Sequence, residues 1–168
     1  MYSQHYFPEN KKYWLDSGIG ITNQIDDKAN IALNISLNYL QDNSLYKLRF
    51  LGISELNIFG QSESNATIRV LIGKHSSRNY TQISFLGGIG INFNRELTTN
   101  VTGSTGTGWF PSYIYEVIRS VSISIPLEIE FFFKPVNFYG LGASLFADIN
   151  SKQSYFGIML KTGFGKVR

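Results

Sequence analysis

Residues 117–133 read Val-Ile-Arg-Ser-Val-Ser-Ile-Ser-Ile-Pro-Leu-Glu-Ile-Glu-Phe-Phe-Phe. Val117, Val121, Ile123, Ile125, Leu127, Ile129, Phe131 and Phe133 share the odd positions, while Ser120, Ser122, Ser124, Glu128 and Glu130 fall on the even ones. A period of two means an extended strand, because successive side chains point to opposite faces. Soluble strands usually stop within about 10 residues, whereas a tilted membrane strand needs roughly 9 to 11 to cross and can project beyond the bilayer. The segment therefore raises one question for the whole chain: which of its two faces meets water.

Seven further segments alternate in the same way, and no stretch has helical periodicity with caps. Tyr13–Thr22 sets Tyr13, Leu15, Ile19 and Ile21 against Asp16, Gly18 and Gly20, and Ala29–Leu40 sets Ile31, Leu33, Ile35 and Leu37 against Asn30, Asn34, Ser36 and Asn38. A third strand opens with Tyr46, Leu48 and Phe50 opposite Lys47 and Arg49 and then blurs from Gly52 to Glu55. Ile68, Val70 and Ile72 alternate with Thr67 and Arg69; Ile83 to Phe93 alternate with Gln82 to Asn92. After the opening segment come Tyr139–Ile149 and Tyr155–Lys166, and short polar turns such as Asp42-Asn43 and Lys134–Asn137 separate the strands. Residues 95–116, rich in Thr, Gly and Ser, are expected to be one long connection between the fifth and sixth strands.

Composition decides the orientation of the faces. Of 168 residues, 16% are charged, against roughly 25% in average soluble proteins, while 15% are aromatic. About 36 large apolar residues lie on one face of the eight strands, and an eight-stranded barrel has an interior only just wide enough for side chains to fill. The other face is lined by small residues such as Gly18, Gly88, Gly90, Gly140, Gly142 and Gly163, which suit a crowded lumen and poorly shield a soluble sheet. The chain is thus expected to be an all-β, eight-stranded antiparallel up-and-down transmembrane β-barrel over residues 13–168, preceded by a periplasmic tail at 1–12. A packed soluble β-sandwich is a competing reading, weakened by the missing surface charge, and a soluble ligand-binding barrel is another. Pro126 removes one ladder donor, so a bulge is expected beside it.

The inward face carries both signs of charge. Asp16, Lys47, Arg49, Glu128, Glu130 and Lys161 all point into the lumen in this layout, where isolated charges would be prohibitive and a mutually paired network is the economical arrangement. Such a network closes the pore. Trp14, Tyr13, Tyr39, Tyr46, Phe133, Tyr139 and Phe164 fall near strand ends, as aromatic girdles do. Trp109, Phe110, Tyr113 and Tyr115, at the end of the long connection, either continue the outer girdle or form a candidate contact surface for an extracellular protein or ligand.

Catalysis and cofactors find little support. His5 and His75 are too far apart in the layout for a metal site, cysteine is absent, and Ser and Thr lack an accompanying base. Glu128 and Glu130 could form a general acid/base pair, but Lys47 and Arg49 account for them as ion-pair partners. The net charge of +3 without a basic patch argues against nucleic acid. No cofactor and no metal is expected, nor any catalytic residue; a lipid-modifying activity is the enzymatic alternative.

The strands resemble the small outer-membrane β-barrels of the OmpA/OmpX type. The stretches Pro126–Pro135 (Pro-Leu-Glu-Ile-Glu-Phe-Phe-Phe-Lys-Pro) and Gly140–Asn150 (Gly-Leu-Gly-Ala-Ser-Leu-Phe-Ala-Asp-Ile-Asn) look like those of Bacteroidota outer-membrane barrel proteins. The resemblance covers all eight strands and implies residence in a Gram-negative outer membrane after removal of a signal peptide. It also implies contact with membrane lipid or lipopolysaccharide, a monomer, and a structural or cell-surface interaction role through extracellular loops. The sequence departs from the pattern at its end, Phe164-Gly165-Lys166-Val167-Arg168, where such barrels often carry a final aromatic residue.

Overall fold

The computed structural model describes residues 11–24, 29–55, 63–105 and 112–166. Eight strands follow in order: β1 Lys11–Gln24, β2 Ala29–Gln41, β3 Ser44–Glu55, β4 Ser64–Arg78, β5 Thr81–Thr105, β6 Ser112–Phe133, β7 Tyr139–Asn150 and β8 Tyr155–Gly165. Each pairs antiparallel with the next, and β8 pairs with β1 to close the barrel. Following ladder partners from Tyr13 through Tyr39, Tyr46, Ile72, Gly87, Leu127, Ala147 and Phe156 returns to β1 at Asn23, ten residues along. With a rise of roughly 3.3 Å per residue and about 4.8 Å between strands, that stagger tilts the strands by about 40°. The β2–β3, β4–β5 and β6–β7 turns share one end with Lys11 and Gly165, here the terminal end; the opposite end is the loop end.

The faces sort as the charge and volume argument requires. Ile123 is 72% exposed, Ile89 68% and Leu160 66%, whereas Asp16, Arg49, Ser84 and Asn92 are fully buried. The hydrocarbon wall of β6 is on the outside, and the soluble reading fails on that observation, since so continuous an apolar exterior has no place in water. The lumen is packed. Trp14, Leu40, Leu45, Leu71 and Leu86 form an apolar plug toward the terminal end, and Ala32, Leu51, Ile53, Phe146, Tyr155 and Met159 form a second. The blurred second half of β3 belongs to this second plug. Leu51 and Ile53 point inward while Gly52 and Ser54 face out, which inverts the polarity of the strand without breaking its alternation.

Four expectations change. The supposed connection at 95–116 is mostly strand: β5 runs on to Thr105 and β6 starts at Ser112, so the Thr and Val residues there act as β-formers, with register shifts between Leu97 and Val101 and between Val101 and Gly103. The barrel also begins at Lys11, two residues before its expected start at Tyr13. Pro126 has no bulge; the β5–β6 ladder lapses between Gly87↔Leu127 and Gly90↔Ser124 and resumes in the same register. Trp14 leaves the girdle for the lumen, 3% exposed, because position 14 shares the inward parity of Asp16.

The terminal end is pinned by tight turns. Asp42 and Asn79 adopt left-handed backbone conformations, with φ of 53° and 50°, and Asp and Asn tolerate this region better than other side chains. The β4–β5 turn therefore falls at Asn79-Tyr80, and His75 lies within β4. Tyr39 stacks beside Tyr46 and Tyr139 beside Phe164, with ring centroids 6.1 and 5.1 Å apart, so the girdle at this end is built from cross-strand aromatic pairs.

Candidate functional site

The register of four strands carries the six inward charges to one level of the lumen. β3 supplies Lys47 and Arg49, β6 supplies Glu128 and Glu130, β8 supplies Lys161 and β1 supplies Asp16, and all six are buried. β3 and β6 are not neighbours in the barrel, so their bridges run across its interior. Lys47 bonds Glu130, Arg49 bonds Glu128, and Lys161 bonds both, with Lys161 Nζ 2.6 Å from Glu128 Oε1. Asp16 joins from the side, 3.7 Å from Lys47, and accepts from Asn38 Nδ2 at 2.6 Å and Asn34 Nδ2 at 3.2 Å. Three acids meet three bases, which removes the net charge that would otherwise make burial so costly.

Small residues make this possible. A Cβ on Gly18 would stand 3.0 Å from Cγ of Lys161, its ladder partner on β8, and 2.6 Å from Oδ1 of Asn34. A Cβ on Gly90 would stand 3.1 Å from Cγ of Arg69. The inward glycines are the space into which long charged side chains fold.

A second cluster, unassigned from the sequence, sits beside the first. Arg69 of β4 lies 2.7 Å from Asp148 of β7 and also bonds the Tyr155 hydroxyl, with its guanidinium 5.5 Å from the Tyr155 ring centre. Ser124 donates to Asp148 at 3.1 Å. Both ions lie on the polar faces of their strands, which was the available signal; only the stagger of the barrel shows that they meet. Beyond them an amide and hydroxyl belt continues: Asn65 donates to Asn94 at 2.6 Å, and Asn150 donates to Ser122 at 2.8 Å.

At the terminal end, Lys134 is 3% exposed and stands 5.0 Å from the Trp14 ring centre, with no acid within ion-pair distance among the described residues. Burial first and the Lys12 charge second push its pKa down to about 8, while Glu130 works in the opposite sense. His75 Nδ1 lies 3.3 Å from Ser84 Oγ, so a serine does have a base beside it. Ser84 is fully buried and takes a further bond from Gln82, which denies it a substrate. No group of three potential metal ligands occurs among the described residues. His5, Trp109 and Phe110 lie outside them; Tyr113 and Tyr115 are in β6, opposite Ser104 and Val101.

The β5–β6 hairpin is the other feature of note. β4 last pairs with β5 at Ser64↔Arg95, and β7 last pairs with β6 at Ser124↔Asn150, yet β5 and β6 stay paired to Thr105↔Ser112. The hairpin thus stands beyond the barrel at the loop end, with one edge of β6 above Ser124 taking no strand partner among the described residues.

No family model and no curated protein matches the chain. Solved structures do. The attachment invasion locus protein Ail of Yersinia pestis superposes with a TM-score of 0.61 at 13% identity, over 95% of this chain and 99% of that one. Neisserial surface protein A gives 0.64 at 9% identity, over 92% and 96%. The outer membrane enzyme PagL gives 0.55 at 10% identity, over 89% and 98%. At these identities the likeness establishes the architecture: this chain has the fold of the small eight-stranded bacterial outer-membrane β-barrels.

Proposed function

We propose that the protein is a non-enzymatic outer-membrane barrel with a sealed lumen, whose terminal end faces the periplasm and whose loop end presents the β5–β6 hairpin for structural or surface interaction. The observation that carries the reading is the pairing across the lumen of Lys47, Arg49 and Lys161 with Glu128 and Glu130, capped by an apolar plug. Ions crossing such a barrel would have to displace buried ion pairs. Short turns at the terminal end and a protruding hairpin opposite support the orientation, since outer-membrane barrels keep short turns in the periplasm and longer loops outside. The test is electrical. Protein reconstituted in planar bilayers is expected to give no stable large conductance, and such a conductance would refute the sealed lumen.

A lipid-modifying enzyme is the second reading, favoured by the fold shared with PagL and by the contact of His75 with Ser84. Both groups face the packed lumen, as do Glu128 and Glu130, so none of them meets lipid. Lipid hydrolysis by purified protein that disappears in Ser84→Ala would favour the enzyme over the binder.

A further inference from the structure

Two outward arginines face each other at the loop end. The register Arg95↔Arg119 places them directly opposite on β5 and β6, both exposed, and neither has an acid partner among the described residues. Like charges directly opposite on a sheet repel, so the pair is unfavourable unless an anion sits between them. Its height is telling. The row Ala66–Phe93–Val121 is the last apolar outward row shared by β4, β5 and β6, and Ser64–Arg95–Arg119 is the first polar one. That is the level at which a bilayer changes from hydrocarbon to headgroup. Leu97 and Val117 flank the pair on its far side. Two guanidinium forks at one spot match the oxygens of a phosphate, which arginine binds bidentately.

We propose that Arg95 and Arg119 clamp the phosphate of a phosphorylated lipid packed against the outside of the β5–β6 ladder. The inference rests on the outer-membrane reading, and the site lies on the lipid face, apart from the sealed lumen. Lipid is favoured over a soluble anion because the pair adjoins the apolar exterior and opens sideways from the barrel.

The experiment uses the full chain in phosphate-free galactolipid bilayers, with and without phosphatidic acid, and with inorganic phosphate in the buffer. The thermal midpoint of the compact, heat-modifiable form is read on gels. Phosphatidic acid is expected to raise the midpoint by about 2–4 °C, and R95Q/R119Q to lose that rise. In the phosphate-free bilayer the double variant should match or exceed the wild type, because repulsion has been removed. Equal rises in the two proteins would overturn the proposal, as would an equal loss in K74Q/R78Q at the terminal end, which would mark a net-charge effect. A rise produced by inorganic phosphate alone would overturn the lipid assignment. Failure of every protein to form the compact species in bilayers would instead overturn the barrel reading itself.

Discussion

At the scale of single residues the lumen is an exercise in charge pairing. Arg69 and Asp148 make the simplest test because they are one pair. Arg69→Met leaves a buried carboxylate without its cation and is expected to cost about 3–5 kcal/mol, whereas the apolar double replacement with Asp148→Leu should recover most of that loss. Urea unfolding in detergent, run as a double-mutant cycle, reads both numbers. Lys134 responds to pH instead. Its folded pKa, about 8, lies below the ordinary 10.5, so between those values the unfolded chain binds more protons and stability rises with pH. The unfolding midpoint should therefore climb from pH 8 toward pH 10.5, and Lys134→Met should flatten that part of the profile. Residue parity made these groups legible: inward Asp16, Lys47, Arg49, Glu128, Glu130 and Lys161 all follow from alternation. The partnership of Arg69 with Asp148 does not, because it depends on a stagger between β4 and β7 that no local pattern encodes.

At the scale of strands, legibility ended where one face changed character. β3 reads poorly beyond Phe50 because Leu51 and Ile53 plug the lumen while Gly52 and Ser54 face outward, so apolar no longer means outside. The 95–105 segment read as a loop because Thr, Gly and Ser are turn formers as well as strand formers, and pairing with 112–117 decides between the two. Two glycines test the strand environment. A side chain on Gly18 would press on the Leu160 carbonyl at 2.7 Å as well as on Asn34 and Lys161, whereas a Cβ on Gly52 meets nothing within 4 Å. Gly18→Val is expected to abolish or strongly lower the yield of the compact form on an unheated gel. Gly52→Val, on the outward face of β3, should leave it intact and, as a better strand former, slightly more heat-resistant.

At the scale of the molecule the barrel and its hairpin separate cleanly. The closed ladder needs β5 only to Arg95 and β6 only from Ser124, and the cross-lumen network lies below both limits. Residues 96–117 therefore contribute pairing chiefly to one another. Replacing them by a short Asn-Gly turn should preserve the heat-modifiable band and leave the thermal midpoint within a few degrees, since strands with intact neighbours on both sides lose no ladder bonds. The contrast is with any change in Glu128 or Lys161, which belong to a network drawn from four strands. A hairpin deletion that unfolded the barrel would mean that the protrusion nucleates closure of β5 on β6, and the hairpin would then be an assembly element. A deletion that folds normally leaves the protrusion free of any structural duty, which is the condition expected of a segment retained for contact outside the membrane.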